Sequence, residues 1–167
     1  MNEPAVSFQK PGYGSLNFKE VIQNIALFVK TDPKHFYKVI VGSDSGAYHL
    51  EPFDTVIVTA VIVWRVGKGA TYFLTQSPKQ MFYTRRDRII QETMSSLTLA
   101  QEIRSHLRVE LGHEFLWDGN EIHADVGNGG ETRDFIREVS GLIRGYNFIP
   151  VIKPEAWGAA SVADRHT

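Results

Sequence analysis

Four acidic residues stand at positions where a folded chain can bring carboxylates together: Asp44, Glu92, Asp125 and Asp164. Asp44 closes the stretch Lys38-Val39-Ile40-Val41-Gly42-Ser43-Asp44, which reads as a strand buried on both faces and running into a small-residue turn, Ser45-Gly46. Asp125 occupies the same kind of place after Glu121-Ile122-His123-Ala124. Glu92 borders the apolar stripe of a long helix, and Asp164 sits in the closing turn Val162-Ala163-Asp164-Arg165. Each has a plain alternative. Gly42–Gly46 suits a turn, because Asp and Ser bond their own backbone and Gly takes turn angles. Glu92 suits a solvated helix surface, and Asp164 suits a partner for Arg165. If the four converge, the chemistry is that of a hard divalent cation, which prefers oxygen ligands and removes the repulsion that would otherwise raise a carboxyl pKa.

What must position them is an ordinary globular chain. Its 167 residues are enough for one domain with a real core. Charged residues make up 22% and the net charge is −1, so no global field draws the chain to nucleic acid or to a membrane. A polyanion partner must therefore be held by a local basic patch or by metal ions. Cysteine is absent, which excludes disulfides and thiolate metal sites and fits a reducing, cytoplasmic setting. Residues 1–16, with Pro4, Pro11, Gly12 and Gly14, read as an extended segment that is neither signal peptide nor anchor. The most apolar run, Thr55–Trp64, is too short to span a bilayer, and its β-branched residues mark a buried strand.

Residues 17–167 read as a single domain. Asn17 and Glu20 have capping-box spacing, and the apolar residues from Phe18 to Val29 continue at helical spacing until Asp32-Pro33. Strands follow at about 37–43, 55–66 and 70–76. A long helix is predicted over about 85–111, with Gly112 placed as its C-cap. A fourth strand at about 121–126, the loop Gly127–Gly130, a helix at about 131–144 and a fifth strand at about 147–152 complete the core. The chain ends in a short helical turn. The short connections make the first three strands an antiparallel meander, and the helical crossovers make the last two parallel to the strand they join. The predicted sheet is mixed and five-stranded, with helices on both faces. Ligands in such sheets sit at the carboxyl ends of parallel strands, where Asp44 and Asp125 face each other if their strands are neighbours.

This order of acids resembles that of ribonuclease H-like nucleases, and the chain is most similar to the YkuK family of ribonuclease H-like proteins. The motifs that carry the resemblance are VGSDS at Val41–Ser45, the run His123–Phe148, the tail Ile152–Thr167 and, more weakly, RRDRIIQET at Arg85–Thr93. It departs from the family pattern at Gly46, where Gln often follows the Asp-Ser pair. The resemblance implies an α/β ribonuclease H-like fold and phosphodiester hydrolysis with two Mg²⁺ or Mn²⁺ ions. Asp44 would bridge the ions, Asp125 and Glu92 would hold one, and Asp164 the other. The substrate would be nucleic acid: RNA, an RNA–DNA hybrid or structured DNA such as a branched junction.

Weaker candidates for substrate contact are Lys153, His123, His166, Ser45 and Arg86, each with an ordinary structural alternative. Gly127–Gly130 precedes a helix but lacks the Gly-Lys-Ser/Thr ending of a phosphate loop, and reads as a tight turn. Besides a nuclease or resolvase, two readings stay open: a non-catalytic module on the same fold that binds nucleic acid or metal, and an actin-like ATPase. The last builds its cleft between two copies of the domain, and the length suffices for one.

Overall fold

The structure is a computed structural model that describes residues 6–46, 52–130 and 132–167, without the side chains of residues 159 and 160. The first five residues of the predicted N-terminal segment and the first residue of the helix predicted over 131–144 lie outside the described residues.

The longest strands are the most apolar ones. β3 (Tyr37–Asp44) and β5 (Val58–Arg65) pair antiparallel over their full length, from Tyr37↔Arg65 to Asp44↔Val58. β6 (Ala70–Gln76) continues the meander against β5. On the other side of β3, β9 (Glu121–His123) and the two-residue β8 (Trp117–Asp118) both run parallel to it, and β10 (Ile149–Val151) runs parallel to β9. The predicted mixed sheet of three antiparallel and two parallel strands is therefore present.

The sheet also extends further. β1 (Ser7–Lys10) and β2 (Gly14–Asn17) form a hairpin whose first strand pairs with β6, giving the order β10-β9-β3-β5-β6-β1-β2. Residues 7–16 thus belong to the sheet, with Phe8 fully buried as the anchor. A separate two-stranded ladder joins β4 (Phe53–Thr55) to β7 (Gln80–Phe82).

The helices follow their sequence signals. α1 (Phe18–Lys30) begins at a complete capping box: Asn17 accepts from the Glu20 N–H, and Glu20 accepts from the Asn17 N–H. α2 (Arg85–Leu111) is capped by Thr84 and ends at Gly112, whose φ of 59° favours glycine. After a 3₁₀ turn at Arg133–Phe135, α3 (Ile136–Gly145) leads into β10.

The two faces of the sheet are covered differently. Val39, Val41, Val61 and Val63 pack with α1, α2 and α3 in the main core. Ile40, Val58, Ala60 and Ile62 face the other way, against Trp157, Val162 and the fully buried Ala163. The cover on that side is the C-terminal segment, a π-helical stretch Gly158–Ala163 followed by a 3₁₀ turn Asp164–His166. Among the described residues, no helix is long and apolar enough to cross a membrane.

Candidate functional site

Strand register brings the first two acids together. Gly42 of β3 is paired with His123 of the parallel β9. Asp44 lies two residues further on, at the carboxyl end of β3, and Asp125 lies two residues past His123, just beyond the carboxyl end of β9. Period-two alternation puts Asp44 on the Ile40 face of β3, and the charge of Asp125 reaches it there. That face is the one covered by the segment that ends in Asp164.

The electrostatics register this convergence. Asp44 is 5% exposed, and its carboxyl is raised above the ordinary range. Burial is the main cause, and the charges of Asp125 and Asp164 add to it. The Gly46 N–H, which donates to Asp44 Oδ2 at 2.9 Å, and the Arg88 charge offset it in part. The chain then turns at Gly46, whose φ of +83° is a conformation that favours glycine.

Glu92 reaches the same place from α2. It is buried, and its carboxyl is pushed up to about 7, mainly by burial; Asp44 and Asp125 raise it further. Arg88, one turn earlier, pulls the other way with Nη1 at 3.3 Å, and the buried Ser45 Oγ donates to Glu92 Oε1 at 2.5 Å. A carboxyl that titrates near neutrality despite an arginine neighbour is one that its surroundings keep from charging.

Lys153, after β10, places Nζ 2.8 Å from Asp125 Oδ1, and 45% of its side chain stays exposed. The pair attracts by charge without hydrogen-bond geometry, so Asp125 Oδ1 is buried with no hydrogen-bond partner. The chain is tight behind the lysine: a Cβ on Gly127 would come within 2.7 Å of Lys153 Cβ.

His123 is 2% exposed and works inside the fold. Its Nδ1 accepts the Gly158 N–H at 3.0 Å, and its ring meets Trp157 edge-on at 5.3 Å. The ring proton of the neutral form therefore sits on Nε2, 3.5 Å from Glu121 Oε2. Burial lowers the His123 pKa, which Glu121 partly offsets. The histidine so anchors the start of the segment that carries Asp164.

The remaining candidates are spread out. Asp164 and His166 are exposed, and the His166 ring lies 6.1 Å from that of Tyr72. Arg86 points to α3, where it forms an ion pair with Glu138 that ties two helices together. Arg88, two positions on, is the arginine at the acids. Its spacing of four from Glu92 is the sequence signal that identifies it.

All the acidic donors here are oxygens, the chemistry a hard divalent cation takes. The orphaned Asp125 Oδ1 and the raised Asp44 carboxyl fit such an ion. Among the described residues, however, no three His, Asp or Glu side chains lie close enough together to hold a metal between them. Lys153 occupies Asp125 on one side, while Ser45 and Arg88 hold Glu92 on the other.

A family profile described as Ribonuclease H-like matches residues 20–167. An uncharacterized protein, YkuK of Bacillus subtilis (strain 168), is 32% identical over 160 residues, covering 91% of both chains. No solved structure matches.

Proposed function

Because the chain belongs to the YkuK family of ribonuclease H-like proteins, we propose that it is a cytoplasmic, divalent-metal-dependent nuclease or resolvase that hydrolyses nucleic-acid phosphodiester bonds. The observation that carries this reading is Asp44 and Asp125 side by side at the carboxyl ends of parallel strands, with Asp164 and Glu92 electrostatically coupled to Asp44. Asp44, Glu92, Asp125 and Asp164 would hold Mg²⁺ or Mn²⁺, the substrate and water supplying the remaining oxygens. Bound there, two such ions supply an activated water and neutralise charge on the phosphate and the leaving oxygen.

The chain's own groups do the rest. Glu92, whose carboxyl burial pushes up to about 7, would release its proton when the site takes up positive charge. Lys153 balances Asp125 and, with nearly half its side chain in solvent, is free to turn its ammonium to a substrate phosphate. His123 holds the Gly158 N–H and thereby the approach of Asp164.

A non-catalytic binding module on the same fold has one observation in its favour, the absence of three ligands gathered around one point among the described residues. The deciding experiment is cleavage of single-stranded RNA, an RNA–DNA hybrid and a branched DNA with Mg²⁺ or Mn²⁺, using Asp44→Asn as control. Cleavage by wild type alone supports the nuclease. Binding without cleavage supports the module.

A further inference from the structure

A second feature lies at the opposite end of the sheet. A cleft of about 410 Å³ opens where the C-terminal part of α2 meets the segment leading through β8, and its walls include Arg104, Arg108, His113, Phe115, Trp117 and Asn120. β8 pairs with Tyr37 and Lys38, at the start of β3, whereas Asp44 ends that strand. Arg104 is twelve residues along α2 from Glu92, about 18 Å at the helical rise.

Two arginines four apart share a helix face and repel. Burial and the charge of Arg108 both push the Arg104 guanidinium down. Among the described residues, neither arginine has a carboxylate within salt-bridge distance. Arg104 is nevertheless fixed in place. Its guanidinium lies 3.8 Å over the Phe148 ring, and Nη1 donates to Asn147 O at 3.0 Å. No acceptor among the described residues takes Nη2. The carboxylate in the wall, Asp118, turns Oδ1 to the Asn120 N–H. The cleft floor is kept low by Gly119, where a Cβ would come within 3.3 Å of the Trp117 ring and 3.8 Å of the Arg104 stem. A held guanidinium with free donors, a second unpaired arginine and aromatic walls together match an anionic group attached to a planar ring.

We propose that this cleft binds the phosphate and base of a nucleotide, either free or at the end of a nucleic-acid strand. The proposal is independent of the acidic centre, and its test keeps the two apart. The full-length protein is titrated in chelator-containing, metal-free buffer with adenosine monophosphate, with a 5′-phosphorylated single-stranded oligonucleotide and with inorganic phosphate. Binding is read by calorimetry and by tryptophan fluorescence, with Trp117→Phe assigning the signal.

The expected result is binding of at least one of the two nucleotide probes, weakened about tenfold by Arg108→Glu and unchanged by Asp44→Asn. Arg108 is exposed, so its variant folds; Arg104→Gln should weaken binding as well. Equal affinity for the mononucleotide and the oligonucleotide points to a free nucleotide, and tighter oligonucleotide binding points to a strand. No binding of either probe overturns the proposal. So does wild-type affinity in Arg108→Glu, inorganic phosphate binding as tightly as the nucleotide, or loss of binding in Asp44→Asn with retention in Arg108→Glu.

Discussion

Ser45 Oγ donates to Glu92 Oε1 at 2.5 Å, and this contact joins the end of β3 to α2. Both residues are buried, and Arg88 lies 3.3 Å from the same carboxylate oxygen. The raised Glu92 pKa shows that these two partners do not compensate fully for burial. Glu92 should therefore weaken the metal-free fold at the pH where it is forced to ionise. Its pKa rises from 4.5 unfolded to about 7 folded. The stability this group contributes is fully present below 4.5 and is lost as pH rises through 7. At about 1.4 kcal/mol per pH unit, the loss is about 3 kcal/mol at most. Asp44 acts with the same sign and His123 with the opposite one, so the informative quantity is the difference between wild type and Glu92→Gln. Urea unfolding at pH 5 and pH 8, in chelator, should show wild type losing ground to Glu92→Gln at the higher pH by roughly that amount. A constant difference would mean that Glu92 is ionised throughout.

The same reasoning applies to Asp44. Burial and the neighbouring acids disfavour its charge, and the Gly46 N–H bond survives if Asn presents its side-chain oxygen. Asp44→Asn should leave the metal-free protein as stable as wild type or more so at neutral pH. Asp125→Asn removes the partner of Lys153, a half-exposed lysine that water can solvate, so its cost should stay within about 1 kcal/mol. Wild type should gain melting temperature with Mn²⁺, because an ion that binds only the folded state stabilises it. Both variants should lose that gain together with metal-dependent cleavage. A variant that keeps both would remove its residue from the site.

The sequence reads most clearly where local signals and burial agree. The capping box at Asn17 and Glu20, the glycine at 112 and the apolar strands β3 and β5 are all visible in it. The hairpin β1–β2 is not. Its strands have four residues each, Gly12 and Gly14 lie within or beside them, and Phe8 is its buried anchor. Such strands are made by their neighbours, here β6. β8 and the β4–β7 ladder are hidden for the same reason. At the acids, the helical crossover makes β9 parallel to β3, and the two strands are neighbours, which brings the ends carrying Asp44 and Asp125 to the same edge. The Ser45–Glu92 bond and the Lys153–Asp125 pair depend on how α2 and β10 pack, which no periodicity encodes. Arg88 lies between: its spacing from Glu92 is legible, but its burial is not.

Gly158 tests whether His123 matters as an anchor. A Cβ there would come within 3.0 Å of Ile62 Cδ1 and 3.1 Å of His123 Nδ1, while the Gly158 N–H already bonds that nitrogen. Gly158→Ala must push the segment off the sheet or the histidine out of place. The expected cost is about 1–3 kcal/mol in urea unfolding. Cleavage should fall further than the folded fraction accounts for, because Asp164 shifts with the segment. His123→Ala, which removes the acceptor without the clash, should reproduce the loss of turnover. If cleavage per folded molecule is unchanged in both variants, the position of this segment does not govern the chemistry.

Deleting Asp164 to Thr167 separates anchoring from chemistry at the chain's last turn. All four residues are exposed, and the hydrogen bonds among them run from Thr167 back to Asp164 O. The buried Ala163, which seals the second core, remains in the truncated chain. What the fold loses is a ring contact between His166 and Tyr72 and little apolar burial, so the metal-free melting temperature should move by no more than a few degrees. What the acidic centre loses is the charge that helps raise the Asp44 pKa, and with it one ligand for a cation. The Mn²⁺-induced gain in melting temperature should shrink, and turnover should fall by orders of magnitude. Asp164→Asn in the intact chain should match the truncation. If the truncated protein cleaves at the wild-type rate, the acidic centre consists of Asp44, Glu92 and Asp125 alone.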